Sequence, residues 1–143
     1  TFDSRADFEA ALSAELKIYK IDLICLAGFM QILSEAFIQQ WQDRIINIHP
    51  SLLPAYKGLD THRRVLEAGE TKSGCTIHYV TPGIDEGPVI LQKEIIVLAD
   101  DTPETLAARI LAAEHKAYPE AIRRIAKFWP APITLEEKQQ EEC

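Results

Sequence analysis

An α/β fold built on an open, mostly parallel sheet with flanking helices is predicted by three features of this 143-residue sequence. The runs IDLICLA (21–27) and IINI (45–48) are short, apolar and β-rich, as strands covered on both faces are. Segments with helical spacing separate and follow them. Neither an internal repeat nor a linker divides the chain, so one layered domain over 1–130 is expected, followed by a charged tail at 131–143.

The elements follow in order. Phe8, Ala11, Leu12, Leu16 and Tyr19 recur at helical spacing, which predicts a helix over 4–20 capped by Asp3 or Ser4. The first strand ends at Gly28, and Ser34 caps a short helix, SEAFIQQW. A second strand stops at His49-Pro50, because proline lacks the ladder donor and keeps the residue before it extended. After the Pro-stiffened loop PSLLPAYKG, Asp60 is expected to cap a helix ending near Gly69. Alternation from Cys75 to Val80 predicts a strand, and the turn TPGIDEGP joins it to VILQKEIIV as a hairpin. Thr102, Pro103 and Glu104 open a long final helix that Pro119 should kink or restart. The tail EEKQQEEC has no apolar face and is expected to fray. A chain that starts at a helix and offers about four strands leaves the sheet's edges undressed, which suggests that an upstream part is absent.

Composition narrows the function. A net charge of −7, with Lys and Arg scattered, argues against a nucleic-acid partner. The sequence has neither a membrane-length apolar run nor a signal peptide, so no membrane association and a cytoplasmic location are expected. Cys25, Cys75 and Cys143 lack disulfide or zinc spacing; they are read as reduced, two of them buried, and no metal site is expected.

The chemistry gathers around the second strand. Alternate side chains of a strand share a face, so Asn47 and His49 point one way while Ile46 and Ile48 point toward the opposite helices. A parallel strand's carboxyl end is where open α/β sheets bind ligands. Asp85, in a Gly-flanked turn after another strand, is placed to pair with the charged imidazole. An amide, an imidazole and a carboxylate, with no Ser or Cys nucleophile evidently beside them, suit acyl transfer by direct amine attack. Asn47 and protonated His49 would donate to the oxyanion, and Asp85 would hold the imidazolium and relay the amine's proton through a water. Taken alone, the Asn-x-His pair also reads as a structural histidine, and Asp85 as a turn former.

AGFMQILS, IINIHPSLLPAYKGLDTH and GCTIHYVTPGIDEGPVILQ together resemble the phosphoribosylglycinamide formyltransferase family, from FDSR to AEHKAYP. The most specific piece is NIHPSLLP followed, 36 residues after His49, by the Asp of IDEGP. The resemblance implies 10-formyltetrahydrofolate as donor and the amine of glycinamide ribonucleotide as acceptor, with catalytic roles for Asn47, His49 and Asp85. It implies folate contacts at Arg5, at Met30, Gln31, Ile32 and Leu33, at Asn47, and at Thr81, Pro82, Gly83, Ile84 and Asp85. It further implies acceptor contacts at Leu111 to Glu114, with Glu114 as the partner for ribose hydroxyls. Gln31 stands where relatives commonly carry a basic residue. The family's N-terminal nucleotide-binding half, which grips the acceptor's phosphate at a helix N-terminus, has no counterpart here, so weak acceptor binding or inactivity is expected of this chain alone.

Three further histidines carry less specific readings. His62 reads as structural or solvent-facing, His78 as lining the cleft or facing solvent, and His115 as touching ribose or covering its helix. Trp41 and Trp129 read as packing residues. Formyltetrahydrofolate deformylase and the methionyl-tRNA formyltransferase look similar around His49, but Thr61-His62 favours the glycinamide ribonucleotide enzyme. A non-catalytic module on the same fold is the rival from another class. An unpaired strand edge leaves a homodimer open.

Overall fold

The computed structural model describes residues 1–29 and 31–133. Among the described residues four helices and four strands follow in the order α1 (Arg5–Ile18), β1 (Ile24–Leu26), α2 (Glu35–Gln40), β2 (Ile45–His49), α3 (Thr61–Glu67), β3 (Lys72–Tyr79), β4 (Val89–Ile96) and α4 (Pro103–Phe128). The strands form one open sheet in the order β1-β2-β3-β4. The flanked α/β sheet is as expected, but it is mixed: β1 and β2 pair in parallel, whereas β2–β3 and β3–β4 are antiparallel. The nine-residue turn at 80–88 can return β4 only antiparallel to β3. β3 itself runs against β2, and helix length does not set that direction, since the six-residue α2 joins the parallel pair and the seven-residue α3 the antiparallel one.

Strand alternation divides the core. Ile46 meets Cys75, Ile77 and Tyr79 on the face covered by Leu106, Ile110, Ala117, Ala121 and Ile125 of α4. Ile45 faces the other way, into Phe37, Ile38, Trp41 and Leu33. Leu106 is fully buried, so Leu106→Ala is expected to destabilise the fold by about 2–5 kcal/mol, read from urea unfolding. A loss below about 1 kcal/mol would mean that α4 packs loosely on the sheet.

Local chemistry fixes the helix ends. Ser4 and Ser34 cap α1 and α2, each accepting a backbone N–H. Thr102 and Thr105 form a reciprocal capping box at α4, with Pro103 in the first turn. Asp60, by contrast, does not cap α3: its backbone is left-handed (φ 57°) and its carboxylate pairs with Arg63 at 3.2 Å. Pro119 neither ends nor restarts α4. It sits on an exposed part of the helix, as does His115, whose carbonyl the proline leaves without a helical partner and which solvent can satisfy.

Two burial expectations change as well. α1 turns Glu9 and Ser13 inward while Tyr19 is 72% exposed. Glu9 accepts from the backbone N–H of Ser34 at 2.6 Å and from its hydroxyl, and Ser13 Oγ accepts from Trp41 Nε1 at 3.3 Å. These polar bonds dock α1 on α2 beside the apolar contacts of Leu12 and Leu16. Of the cysteines, Cys75 is buried, but Cys25 is exposed, because β1 is an edge strand among the described residues. Met30, the tail from 134 and Cys143 lie outside the described residues.

Candidate active site

His49 ends β2 on the same face as Ile45 and Asn47. The antiparallel register sets Asn47 against His78 and His49 against Thr76. β4 then skips Ile90, pairing Leu91 with Ile77 and Val89 with His78. This irregularity lies beside the site, at the start of the hairpin turn carrying Asp85. Asp85 itself takes a left-handed backbone (φ 51°), a conformation open to Asp at modest cost, and this turns its carboxylate back over the sheet.

The imidazole of His49 is nearly buried between two acceptors. Its Nδ1 lies 3.4 Å from Asp85 Oδ2, with side-chain exposures of 8% and 13%. Its Nε2 lies 2.9 Å from the Tyr56 carbonyl oxygen, to which only an N–H can donate. A ring flanked by a carboxylate and a carbonyl satisfies both when it carries both protons. Asp85 Oδ2 also accepts from the Gly58 backbone N–H at 3.0 Å. The loop after β2 thus touches both members of the pair. It is fastened by Thr76 Oγ1, which accepts from Leu53 N–H at 3.1 Å and donates to the Ser51 carbonyl at 2.7 Å, and by Gln92, which donates to the Leu53 carbonyl at 2.8 Å.

Asn47, His49 and Asp85 are therefore brought together. The two segments assigned to folate also meet this face. Phe29, Leu33 and Val80 pack in the cluster around Ile45, which sets 31–33 beside the turn at 81–85. Ile32 and Ile84 are 62% and 57% exposed there, and Gln31, Pro82 and Gly83 are open to solvent. Arg5 donates to the Ile32 carbonyl at 3.4 Å, joining a third assigned residue to the same edge. Met30 lies outside the described residues. Leu111 and Glu114 belong elsewhere in the layering: both stand on α4, and the Glu114 carboxyl lies near the Cys75 thiol, whose side chain packs on the α4 face. Burial raises the pKa of Glu114 above the ordinary carboxylate value.

Sequence reading undervalued His78. It is 3% exposed, donates from Nδ1 to the Tyr79 carbonyl at 2.9 Å, and points Nε2 at Asp85 Oδ1 from 3.8 Å. Burial lowers its pKa most, and the charge of His49 lowers it further, against the opposing pull of the Tyr79 carbonyl and Asp85. The pKa of His62 is also lowered, by burial first and then by His49. Both are depressed from 6.5, so the unfolded chain binds more protons; stability rises with pH through that region and is lost as pH falls below it. The urea midpoint should therefore drop between about pH 7.5 and about pH 5.5, and His78→Gln should flatten that drop. An equally steep drop in the variant would assign the effect to other groups. Tyr56 and Gly58 were missed because they act through backbone atoms, which leave no side-chain motif.

A separate cleft of about 830 Å³ runs between β4 and α4. His115 lines it with Lys93, Lys116 and Glu120. Its Lys93 is paired with Glu120 at 3.0 Å, and the buried polar convergence seen around His49 is missing from its walls. Among the described residues no group of three or more His, Cys, Asp or Glu could hold a metal ion, and no helix is long and apolar enough to cross a membrane.

The chain belongs to the formyl transferase family, whose model matches residues 1–122. It is 48% identical over 118 residues to the phosphoribosylglycinamide formyltransferase of Escherichia coli, covering 82% of this chain and 56% of that protein. It is 50% identical over 121 residues to the trifunctional purine biosynthetic protein adenosine-3 of Drosophila melanogaster, covering 85% of this chain and 9% of that protein. The crystal structure of glycinamide ribonucleotide transformylase 1 from Symbiobacterium toebii superposes with a TM-score of 0.85 at 52% identity, over 88% of this chain and 59% of that one. The chain thus spans little more than half of these single-function relatives and about a tenth of the trifunctional protein.

Proposed function

We propose that this chain carries the reaction face of a phosphoribosylglycinamide formyltransferase, which moves a formyl group from 10-formyltetrahydrofolate to the amine of glycinamide ribonucleotide. The observation that carries the reading is the nearly buried His49–Asp85 pair, with Asn47 on the same strand face, in a member of the formyl transferase family. The amine attacks the formyl carbon, a C–N bond forms, and the carbonyl oxygen becomes an oxyanion. Asn47 and the Nε2–H of charged His49 donate to that oxygen, the latter exchanging the Tyr56 carbonyl for it. Asp85 balances the imidazolium and, through a water, takes the proton shed by the attacking amine. Collapse breaks the bond from carbon to the folate nitrogen, which gains a proton as tetrahydrofolate leaves.

The donor fits the face by its chemistry. A flat pterin needs apolar walls and nearby backbone for hydrogen bonds, and exposed Ile32 and Ile84, with the solvent-facing residues Gln31, Pro82 and Gly83 beside them, are of that kind. Arg5 at the same edge is suited to a carboxylate of the folate tail. Leu111 and Glu114 are assigned to the acceptor by family likeness alone. The domain is taken as 1–130, and free Cys25 and Cys75 accord with a cytoplasmic location.

Titrating 15N-labelled protein with a stable 10-formyltetrahydrofolate analogue tests the placement. Amide shifts are expected to cluster at 31–33, Asn47 and 81–85. Shifts confined to the cleft between β4 and α4 would overturn it.

A further inference from the structure

Arg64 stands one turn into α3, away from the reacting groups, yet it grips the loop that holds them. Its Nη1 donates to the carbonyls of Lys57 at 2.7 Å and Leu59 at 3.0 Å, the residues on either side of Gly58. Its guanidinium also lies over the Tyr56 ring, 5.5 Å from the centroid. The far end of that ring is anchored by Tyr56 Oη donating to Glu70 Oε1 at 2.7 Å. Tyr56 itself is left-handed (φ 55°), a conformation that a non-glycine residue seldom keeps unrestrained, while Gly58, at φ 84°, takes one open to glycine.

These contacts converge on the site by two routes. The carbonyl of Tyr56 meets His49 Nε2, and the N–H of Gly58 meets Asp85 Oδ2. A side chain that fixes the peptides around Gly58 and clamps the Tyr56 ring therefore sets where both groups stand. We infer that Arg64 is a positioning residue for the His49–Asp85 pair, acting through the Tyr56 carbonyl and the Gly58 N–H. A planar fork suits this task, because one guanidinium can bond two carbonyls and lie on a ring at once, whereas an ammonium is a compact point charge. Lys57 adds a peripheral tie to Glu86 at 3.4 Å, on the turn that carries Asp85. The charged and titratable groups facing His49 are Asp85, His78 and His62.

The inference concerns the site proposed above, and its catalytic consequence rests on that reading, but its structural core is testable without turnover. Arg64→Lys keeps the charge and removes the fork, so any effect reports geometry. In 1H–15N spectra the His49 Nε2–H and the Gly58 amide should exchange with water roughly tenfold faster than in the parent, because each loses a fixed partner. In a turnover assay kcat should fall by on the order of 10- to 100-fold while KM for the folate donor stays within about threefold. Tyr56→Phe, which removes only the bond to Glu70, should move the same signals less and in the same direction. If Arg64→Lys is poorly folded by circular dichroism, Tyr56→Phe alone decides. Unchanged exchange at His49 in a folded variant would overturn the inference, even if stability fell. Absence of turnover in the parent would instead count against the formyl-transfer reading and leave the exchange test standing.

Discussion

His49→Ala is expected to lower formyl transfer by about 10³-fold, with little change in donor KM, because the lost group acts on charge that exists only in the transition state. The imidazole donates toward the Tyr56 carbonyl, where the formyl oxygen is proposed to arrive, and faces Asp85 from 3.4 Å. Alanine removes that donor and leaves a nearly buried carboxylate with the Gly58 N–H and the distant His78 ring as its neighbours. The variant should remain folded, since the surrounding core of Ile45, Ile46 and Ile77 is untouched. Steady-state kinetics with both substrates decides the matter. A loss below about tenfold would remove His49 from the chemistry and favour a non-catalytic module on the same fold.

The largest structural effect is expected at Gly87, in the turn that brings Asp85 home. A Cβ there would collide with the Tyr79 carbonyl oxygen and lie 2.7 Å from its carbon, and both are backbone atoms that the β2–β3 pairing holds in place. The Tyr79 N–H, which donates to the Pro88 carbonyl at 2.9 Å, further ties this residue to the turn. Gly87→Ala should therefore cost about 3 kcal/mol or more, through displacement of the hairpin turn, and abolish folate binding with it. Urea unfolding and an amide spectrum measure both parts. A stability within about 1 kcal/mol of the parent would show that the turn yields without loss.

Much of this was legible in the sequence, for physical reasons that also mark where legibility stops. The Asn-x-His spacing put Asn47 and His49 on one face because strand side chains alternate, and the register keeps them so. The hairpin of β3 and β4 was visible in its Gly- and Pro-rich turn. The direction of β3 against β2 was not. Apolar runs look alike in parallel and antiparallel sheets, and helix length does not separate them here, since the six-residue α2 returns the chain parallel and the seven-residue α3 antiparallel. That one reversal hid the facing of Asn47 and His78, and so the second histidine near Asp85. Asp60 failed as a cap because its left-handed backbone turns the carboxylate to Arg63 instead. Tyr56 and Gly58 were beyond any residue pattern, since a carbonyl and an N–H are common to nearly every position.

The central claim is that formyl passes directly to an amine on the His49 face. The most direct measurement follows tetrahydrofolate release from 10-formyltetrahydrofolate with and without glycinamide ribonucleotide. It should be made on this chain, and on the chain preceded by the N-terminal segment of the Escherichia coli relative. The account predicts release that requires the amine and matches the formylated product mole for mole, at least in the joined protein. Release at the same rate without the amine would make the chemistry hydrolysis, and no release in either protein would contradict the account.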